Sequence, residues 1–153
     1  MRFYQRIIGV PGLSNLGVVR DGAIYRSAQP EDYSQLAICL GIKRVMTLRE
    51  KAESFADFRL RLNVLSDVSI EDFDLIVQTL SNPENQPILV HCQSGADRTG
   101  VACAAYRITV DGWSLAEAWE ELECYGGGIH NILNLKLKYH LELYAEAKGL
   151  NNG

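Results

Sequence analysis

The feature that most constrains the fold is a short, fully apolar run at residues 88–90, followed by a polar, glycine-containing stretch and an alanine-rich segment. An apolar run of this length predicts a strand buried on both faces of a parallel sheet. Residues 99–110 predict a helix, so the polar stretch is a loop that joins the carboxyl end of a strand to a helix N-terminus. Ligands of open parallel sheets bind beyond this edge.

The patterns on either side predict strands that alternate with helices. Ser69 is a predicted N-cap, and Ser114 with Glu117 forms a predicted capping box for a helix that ends at the glycines 126–128. The alternation predicts an α/β fold, a three-layer sandwich whose central, mostly parallel sheet of four to five strands is flanked by helices. Other strands are predicted at 23–27, 43–48 and 59–65, and other helices at 31–40 (with Cys39 facing inward), 70–80 and 131–148.

No repeat, low-complexity tract or linker divides the 153 residues, so we expect a single domain that spans residues 1–153. The net charge of −4 argues against nucleic acid or an anionic membrane as the main partner, because both require a basic surface. No apolar run reaches transmembrane length. The N-terminus also lacks the apolar segment of a signal peptide. We therefore expect a cytoplasmic monomer, unless a leader segment has been removed.

The four cysteines, at positions 39, 92, 103 and 124, show no C-x-x-C spacing. Neither a zinc site nor a disulfide framework is indicated, and reduced thiols are the simplest interpretation. Cys103 and Cys124 could pair with Cys92 under oxidation, but we expect them to be buried thiols. No metal site is predicted.

The loop at residues 91–100 (HCQSGADRTG) has the composition of an anion-binding site. A helix N-terminus offers unpaired N–H groups and the positive end of the helix dipole. Gly95 lets the loop curl so that its amides converge on one point, and Arg98 can hold two phosphoryl oxygens at once. We predict a phosphate-binding cup formed by Gln93, Ser94, Gly95, Ala96, Asp97, Arg98 and Thr99.

The same cup favours the thiolate form of Cys92. An ordinary thiol is only a few per cent ionised at neutral pH, whereas the loop amides, the helix dipole and Arg98 all stabilise the anion. Thr99 could donate its hydroxyl to the thiolate and so make the sulfur a better leaving group. His91 is expected to orient the loop through a backbone hydrogen bond. Asp97 is expected to direct its side chain away from the cup, either as an anchor or as a solvated charge.

The spacing of histidine, cysteine, five residues, arginine, threonine and glycine across 91–100 resembles the motif of cysteine-dependent protein tyrosine phosphatases. Residues 25–30 (YRSAQP) and 40–50 resemble the opening of the compact bacterial and fungal members of the dual-specificity-like branch. The resemblance implies two-step hydrolysis of a phosphomonoester, with Cys92 as nucleophile, Arg98 as the transition-state cation and a phosphocysteine intermediate. It requires no metal or organic cofactor.

A general acid is less clearly marked than the nucleophile. Asp67 follows the predicted strand at 59–65 and so emerges at the same sheet edge as Cys92, which makes it our predicted acid. Asp57 and Asp72 are alternatives, although Asp72 also fits a helix N-terminus. Protonation assisted by substrate or water is a further alternative.

The rim of the cup predicts the substrate class only weakly. It lacks lysine, which favours a phosphotyrosine protein or another singly phosphorylated substrate over a polyphosphate. An inositol phosphate or inositol pyrophosphate is an alternative substrate, for which Arg26, Lys43 or Arg49 would supply charge. A phosphate-binding pseudophosphatase without an acid is another alternative. A rhodanese-like sulfurtransferase does not explain Arg98 and the residues that follow it.

Overall fold

A computed structural model of the chain describes residues 5–31, 33–49, 55–62, 68–128 and 131–150. Its sheet contains six strands: β1 (Gln5–Arg6), β2 (Gly17–Arg20), β3 (Ile24–Ser27), β4 (Arg44–Thr47), β5 (Phe58–Arg59) and β6 (Ile88–His91). The helices are α1 (Ile70–Ser81), α2 (Asp97–Thr109), α3 (Leu115–Cys124) and α4 (Asn131–Ala147), with a π-helical turn at Leu36–Leu40 and a 3₁₀ turn at Pro83–Asn85.

The strands lie in the order β1-β2-β3-β6-β4-β5. The buried strand β6 is central, and β3 and β4 pair with it in parallel, so that Ser27 and Thr47 both lie opposite His91. β5 extends the parallel part, whereas β1 and β2 add an antiparallel edge. The predicted α/β architecture is confirmed, with six strands rather than four to five because β1 and β2 join the sheet.

The helix starts follow from local capping chemistry. The hydroxyls of Ser69 and Ser114 accept hydrogen bonds from the backbone three residues ahead, and Asp72 and Glu117 return the bond to the cap residues. These two capping boxes begin α1 and α3 where the sequence predicts them.

The four helices cover one face of the sheet, and α2 lies among them against α1, α3 and α4. Its run of small residues at 101–105 is fully buried, which lets neighbouring elements approach closely. The opposite face is covered more thinly, by the π-helical turn and the segment before β2. The carboxyl end of β6 leads through a five-residue loop, residues 92–96, to the start of α2.

One helix prediction was wrong in extent. The segment after Glu31 is helical only over residues 34–40, of which Leu36–Leu40 form a π-helical turn that ends at Gly41 in a left-handed conformation (φ 67°). Leu36 is buried and Leu40 packs beside it, as predicted, but Cys39 is exposed rather than inward-facing, because a π-helical turn contains more residues than the α-helical spacing assumes. The predicted strand at 59–65 is described only as far as residue 62.

Candidate active site

The loop between β6 and α2 lies where the three central parallel strands end. The carbonyl of His91, the last residue of β6, accepts a hydrogen bond from the Leu48 amide at 2.9 Å, just beyond β4. The Gln29 amide, just beyond β3, donates to the Gln93 carbonyl at 3.0 Å. The ends of β3 and β4 therefore hold both sides of the loop.

Four consecutive carbonyl groups of the loop are held by partners outside it. The Cys92 carbonyl accepts from His91 Nδ1 at 3.1 Å, and the Gln93 carbonyl accepts from the Gln29 amide. The Ser94 carbonyl accepts from Asn15 Nδ2 at 3.1 Å. The Gly95 carbonyl accepts from Arg26 Nη2 at 2.9 Å.

The orientation of these carbonyls determines where the loop amides point. In a trans peptide the C=O of one residue and the N–H of the next point in opposite directions. The amides of residues 93–96 therefore face away from the carbonyl partners, and they donate to no group in the part of the chain that the structure describes. Together with the first turn of α2, they line a concavity of inward-facing N–H groups, an arrangement suited to an anion.

Gly95 is required at the bend of this loop for two separate reasons. Its φ of 73° lies in the left-handed region, which glycine adopts without strain. A Cβ at this position would also lie 2.6 Å from the Ala28 nitrogen, far inside contact distance. The loop therefore packs directly on the backbone at the end of β3.

Arg98 lies in the first turn of α2 and is half-buried. It forms no hydrogen bond or ion pair with any residue for which the structure gives a position, so its guanidinium is available to an anion at the concavity. The Asp97 side chain instead accepts a hydrogen bond from the Gly128 amide at 3.1 Å, which ties the start of α2 to the glycine run after α3. The residues Gln93 and Ser94 are exposed at the rim.

Cys92 and Thr99 are both buried beneath the loop, with exposed fractions of 1% and 0%. The predicted hydrogen bond from Thr99 to Cys92 is not formed, because Thr99 Oγ1 has no hydrogen-bond partner among the described residues. The hydroxyl is therefore a buried donor without an acceptor.

The other two cysteines near the site differ from each other. Cys103 is buried in α2, and burial raises the pKa of its thiol to about 11. Cys124 is exposed at the end of α3, so the prediction of a buried thiol was wrong there. Burial of the sulfur nevertheless raises the pKa of Cys124, with the neighbouring Glu120 adding to the shift.

His91 is fully buried and bonds at both ring nitrogens. A carbonyl can only accept, so Nδ1 donates to the Cys92 carbonyl at 3.1 Å, and Nε2 is hydrogen-bonded to the Tyr33 hydroxyl at 3.3 Å. The Cys92 carbonyl thereby fixes a proton on Nδ1. The ring lies beside the loop as a support and not as a base.

Of the three aspartates considered as acids, Asp67 lies outside the described residues. The Asp57 carboxylate accepts from the Val45 amide at 2.9 Å, and Asp72 completes the capping box of α1 with Ser69. Both carboxylates are occupied by structural hydrogen bonds away from the loop.

The three cations considered for polyphosphate binding occupy different places. Arg26 is fully buried, and Lys43 lies at the opposite edge of the sheet, where its amide bonds to the Pro87 carbonyl. Arg49 follows β4 at the loop edge and donates to Gln29 Oε1 at 2.8 Å. Of these three alternatives, Arg49 is the one with a partly exposed side chain at the loop edge.

Three residues that hold the loop were not predicted to do so. Asn15 and Tyr33 carry no motif, and the sequence indicates Arg26 only as a charge for a polyphosphate substrate. The one available signal was the YRSAQP stretch, which contains Arg26 and Gln29.

Within the described ranges no helix is long and apolar enough to cross a membrane. In the same part of the chain, no three His, Cys, Asp or Glu side chains come together as a metal site.

The sequence of the chain is similar to a known protein family and to individual phosphatases. The model of the family described as "Dual specificity phosphatase, catalytic domain" matches residues 24–145. The dual specificity protein phosphatase TpbA of Pseudomonas aeruginosa is 32% identical over 113 residues, which cover 69% of this chain and 52% of that protein. The chain thus spans about half the length of this curated relative. The tyrosine-protein phosphatase-like protein OCA2 of Saccharomyces cerevisiae is 25% identical over 83% of this chain and 73% of its own length.

Two solved structures share the fold. A cysteine-to-serine variant of P. aeruginosa TpbA, in complex with phosphotyrosine, superposes with a TM-score of 0.75 at 23% identity, covering 96% of this chain and 93% of that one. The core catalytic domain of the PP-IP phosphatase Siw14 from S. cerevisiae, in complex with citrate, gives a TM-score of 0.72 at 22% identity, covering 93% and 97%. At these identities the likeness concerns the fold alone.

Proposed function

The chain belongs to the family of dual specificity phosphatase catalytic domains, and on this premise we propose that it hydrolyses phosphomonoesters through a phosphocysteine on Cys92. The thiolate attacks phosphorus, so that an S–P bond forms while the P–O bond to the leaving group breaks. Water then attacks the phosphocysteine, the S–P bond breaks, and inorganic phosphate leaves with the thiolate restored.

One observation carries this proposal: the carbonyls of residues 92–95 are hydrogen-bonded on the outer side of the loop, while the amides of 93–96 donate to none of the described residues. Fixed amides aimed at one point stabilise the equatorial oxygens of a transferring phosphoryl group without reorganisation. Arg98, half-buried and unpaired among the described residues, adds a bidentate cation to the same site. Thr99, buried and lacking an acceptor, is suited to bond the sulfur when that atom carries charge as the leaving group.

Asp67 remains our proposed general acid. Support comes from its place after the β5 segment, and from the structural hydrogen bonds that occupy Asp57 and Asp72. Asp67→Asn should lower turnover of aryl phosphates with poor leaving groups far more than turnover of p-nitrophenyl phosphate, because only poor leaving groups need the proton. Asp72→Asn is the matched control, since it should leave the leaving-group dependence unchanged. Equal effects of Asp67→Asn on both substrates would remove it from this role.

A phosphotyrosine or phosphoserine/threonine protein is the proposed substrate class. The cleft beside the loop is lined by Gly12, Leu13, Ser14, Gln29 and Glu31, and so presents a carboxylate and no cation. Such a lining disfavours further phosphate groups next to the one in the cup, because like charges repel. Arg26 is buried and Lys43 is distant, so Arg49, which donates to Gln29 Oε1 at 2.8 Å, is the one of the three candidate cations that lies beside this cleft.

The decisive test is phosphate release from p-nitrophenyl phosphate. Wild type should turn over, Cys92→Ser should lose activity by at least about 10³-fold because the nucleophile is gone, and the exposed Cys39→Ser should behave as wild type. Phosphate binding without turnover by wild type would instead identify a pseudophosphatase. A panel of phosphotyrosine and phosphoserine peptides beside an inositol pyrophosphate then tests the substrate class, and preference for the inositol compound would overturn it.

We further propose one phosphatase domain over residues 1–153, acting as a cytoplasmic monomer. All four cysteines are free, which fits a reducing compartment. Fractionation and sedimentation measurements test the location and the oligomeric state.

A further inference from the structure

Arg26 is a fully buried cation beneath the loop. Arg26 lies in β3, and its exposed fraction is 0%. Its Nη2 donates a hydrogen bond to the Gly95 carbonyl at 2.9 Å. This carbonyl is on the outer side of the loop, opposite the amides that face the cup. Arg26 therefore acts on the loop from below and not from the substrate side.

The guanidinium has no carboxylate partner in the described structure. Nε and Nη1 form no hydrogen bond among the described residues, and no ion pair compensates the charge. An unpaired buried charge is costly, and proteins generally pair such groups or bind an ion against them. The buried Arg107 shows the usual arrangement, because its guanidinium bonds both carboxylate oxygens of Glu121.

Tyr125 holds the Arg26 guanidinium in place. The ring lies 3.8 Å from the Arg26 Cζ, within the range of a cation–π interaction. The ring itself is fixed, since it packs where a Cβ on Gly17 would stand and its hydroxyl donates to the Gln5 carbonyl at 3.2 Å. Arg26 thus has one well-defined position under the Gly95–Ala96 peptide.

We propose that Arg26 is a positioning residue for the oxyanion cup: it turns the Ala96 amide into the cup and sets a buried positive charge below the bound oxyanion, without contacting it. The Gly95 carbonyl cannot rotate into the cup while Arg26 holds it, so the Ala96 N–H stays inward. The charge that lacks a carboxylate partner is compensated when a phosphoryl dianion or thiolate occupies the cup. This inference rests on the proposed function and assigns Arg26 a role within it.

The test compares three variants of the full chain by tungstate binding, tungstate-induced thermal stabilisation and p-nitrophenyl phosphate kinetics. Arg26→Gln removes the charge, Arg26→Lys retains it, and Arg6→Gln is the matched control. Arg6 also lies over the Tyr125 ring, at 5.2 Å, but it bonds the Cys124 carbonyl and not the loop.

We expect Arg26→Gln to weaken tungstate binding and to lower kcat/KM by about tenfold or more, as for the loss of a charge-assisted hydrogen bond. Its thermal midpoint should rise less with tungstate than that of wild type. Arg26→Lys should recover much of the affinity, and Arg6→Gln should match wild type. The inference is overturned if Arg26→Gln binds tungstate as tightly as wild type does. It is also overturned if the Lys and Gln variants are equally defective, because equal defects would mean that Arg26 matters only for packing.

If Arg26→Gln does not fold, a crystal structure of wild type with tungstate decides the matter. Arg26 on the Gly95 carbonyl with the Ala96 amide on tungstate supports the inference, whereas direct contact between Arg26 and tungstate overturns it. Failure of wild type itself to bind tungstate or release phosphate would overturn the proposed function as well. If wild type and Arg26→Gln bind tungstate equally tightly, only the proposed role of Arg26 is overturned, and the proposed function stands.

Discussion

The side-chain amide of Asn15 donates one hydrogen to the Ser94 carbonyl, at 3.1 Å, and the other to the Tyr125 carbonyl, at 2.8 Å. Asn15 itself has a φ of 52°, a left-handed conformation that asparagine tolerates better than most residues. One side chain thus joins the segment before β2, the loop after β6 and the end of α3. The loop geometry depends on this contact between distant parts of the chain.

Replacing Asn15 should therefore lower activity without changing the nucleophile. Asn15→Gly keeps the backbone conformation and removes only the side chain, so kcat/KM should fall about tenfold as the Ser94–Gly95 peptide loses its restraint. Asn85→Ala is the control, because Asn85 Nδ2 makes a similar bond to the Thr79 carbonyl, at 3.0 Å, away from the loop. Steady-state kinetics with p-nitrophenyl phosphate check the prediction, which fails if Asn15→Gly retains the wild-type kcat/KM.

Gly95→Ala should abolish activity, with a loss of about 100-fold or more in kcat/KM, because the added Cβ displaces the loop from the end of β3. Gly112→Ala is the control, because it introduces the same backbone strain without this steric clash. Gly112 has a nearly identical φ of 70°, but a Cβ there meets nothing within 4 Å. The control should lose about 1 kcal/mol of unfolding free energy and no activity. Similar kinetics for the two variants would show that the contact with β3 is unimportant.

Thr99→Val should separate stability from turnover. Thr99 Oγ1 makes no hydrogen bond in the described structure, so its removal should leave the free energy of unfolding unchanged or raise it by up to about 1 kcal/mol. Hydrolysis of the phosphocysteine should slow roughly tenfold or more, giving a burst of p-nitrophenol in rapid-mixing experiments. Thr79→Val, which removes a hydroxyl bonded within α1, is the control for activity. A variant that shows neither a burst nor a slower steady state would contradict this role.

Stability at alkaline pH should depend on Cys103. Burial raises the pKa of this thiol to about 11, whereas an unfolded thiol titrates near 8.5. The unfolded state releases the proton first, so the stabilisation is complete below about pH 8.5 and is lost as pH rises toward 11. The unfolding free energy should fall by about 1.4 kcal/mol per pH unit in this window from this group.

Urea unfolding of wild type and Cys103→Ala at several pH values from 7 to 11 measures this contribution. The alanine variant should be less stable at pH 7, because a buried side chain has been shortened, yet show a shallower alkaline decline. Parallel curves for the two proteins would exclude Cys103 as the source.

Much of the fold could be predicted because its signals are local. The capping boxes at Ser69 and Ser114 each lie within four residues, and the apolar run of β6 identifies the buried strand without further information. The antiparallel strands escaped prediction: β1 has only two residues and joins the sheet through β2, which in turn pairs with β3. Cys39 was misplaced because α-helical spacing does not reveal that the turn is π-helical.

The site, like the fold, has features that the sequence predicts and features that it does not. The sequence alone predicts which residues form the proposed cup, because a cysteine, a glycine and an arginine within one short loop meet through local geometry. Only the tertiary structure decides how the cup is held: Asn15 and Arg26 reach it from 79 and 69 residues away, and no local pattern reports those contacts. The physical reason is that each such hydrogen bond forms only after β2, β3 and β6 have assembled, because only then does packing place the donor beside its carbonyl, exposed at Ser94 and buried at Gly95.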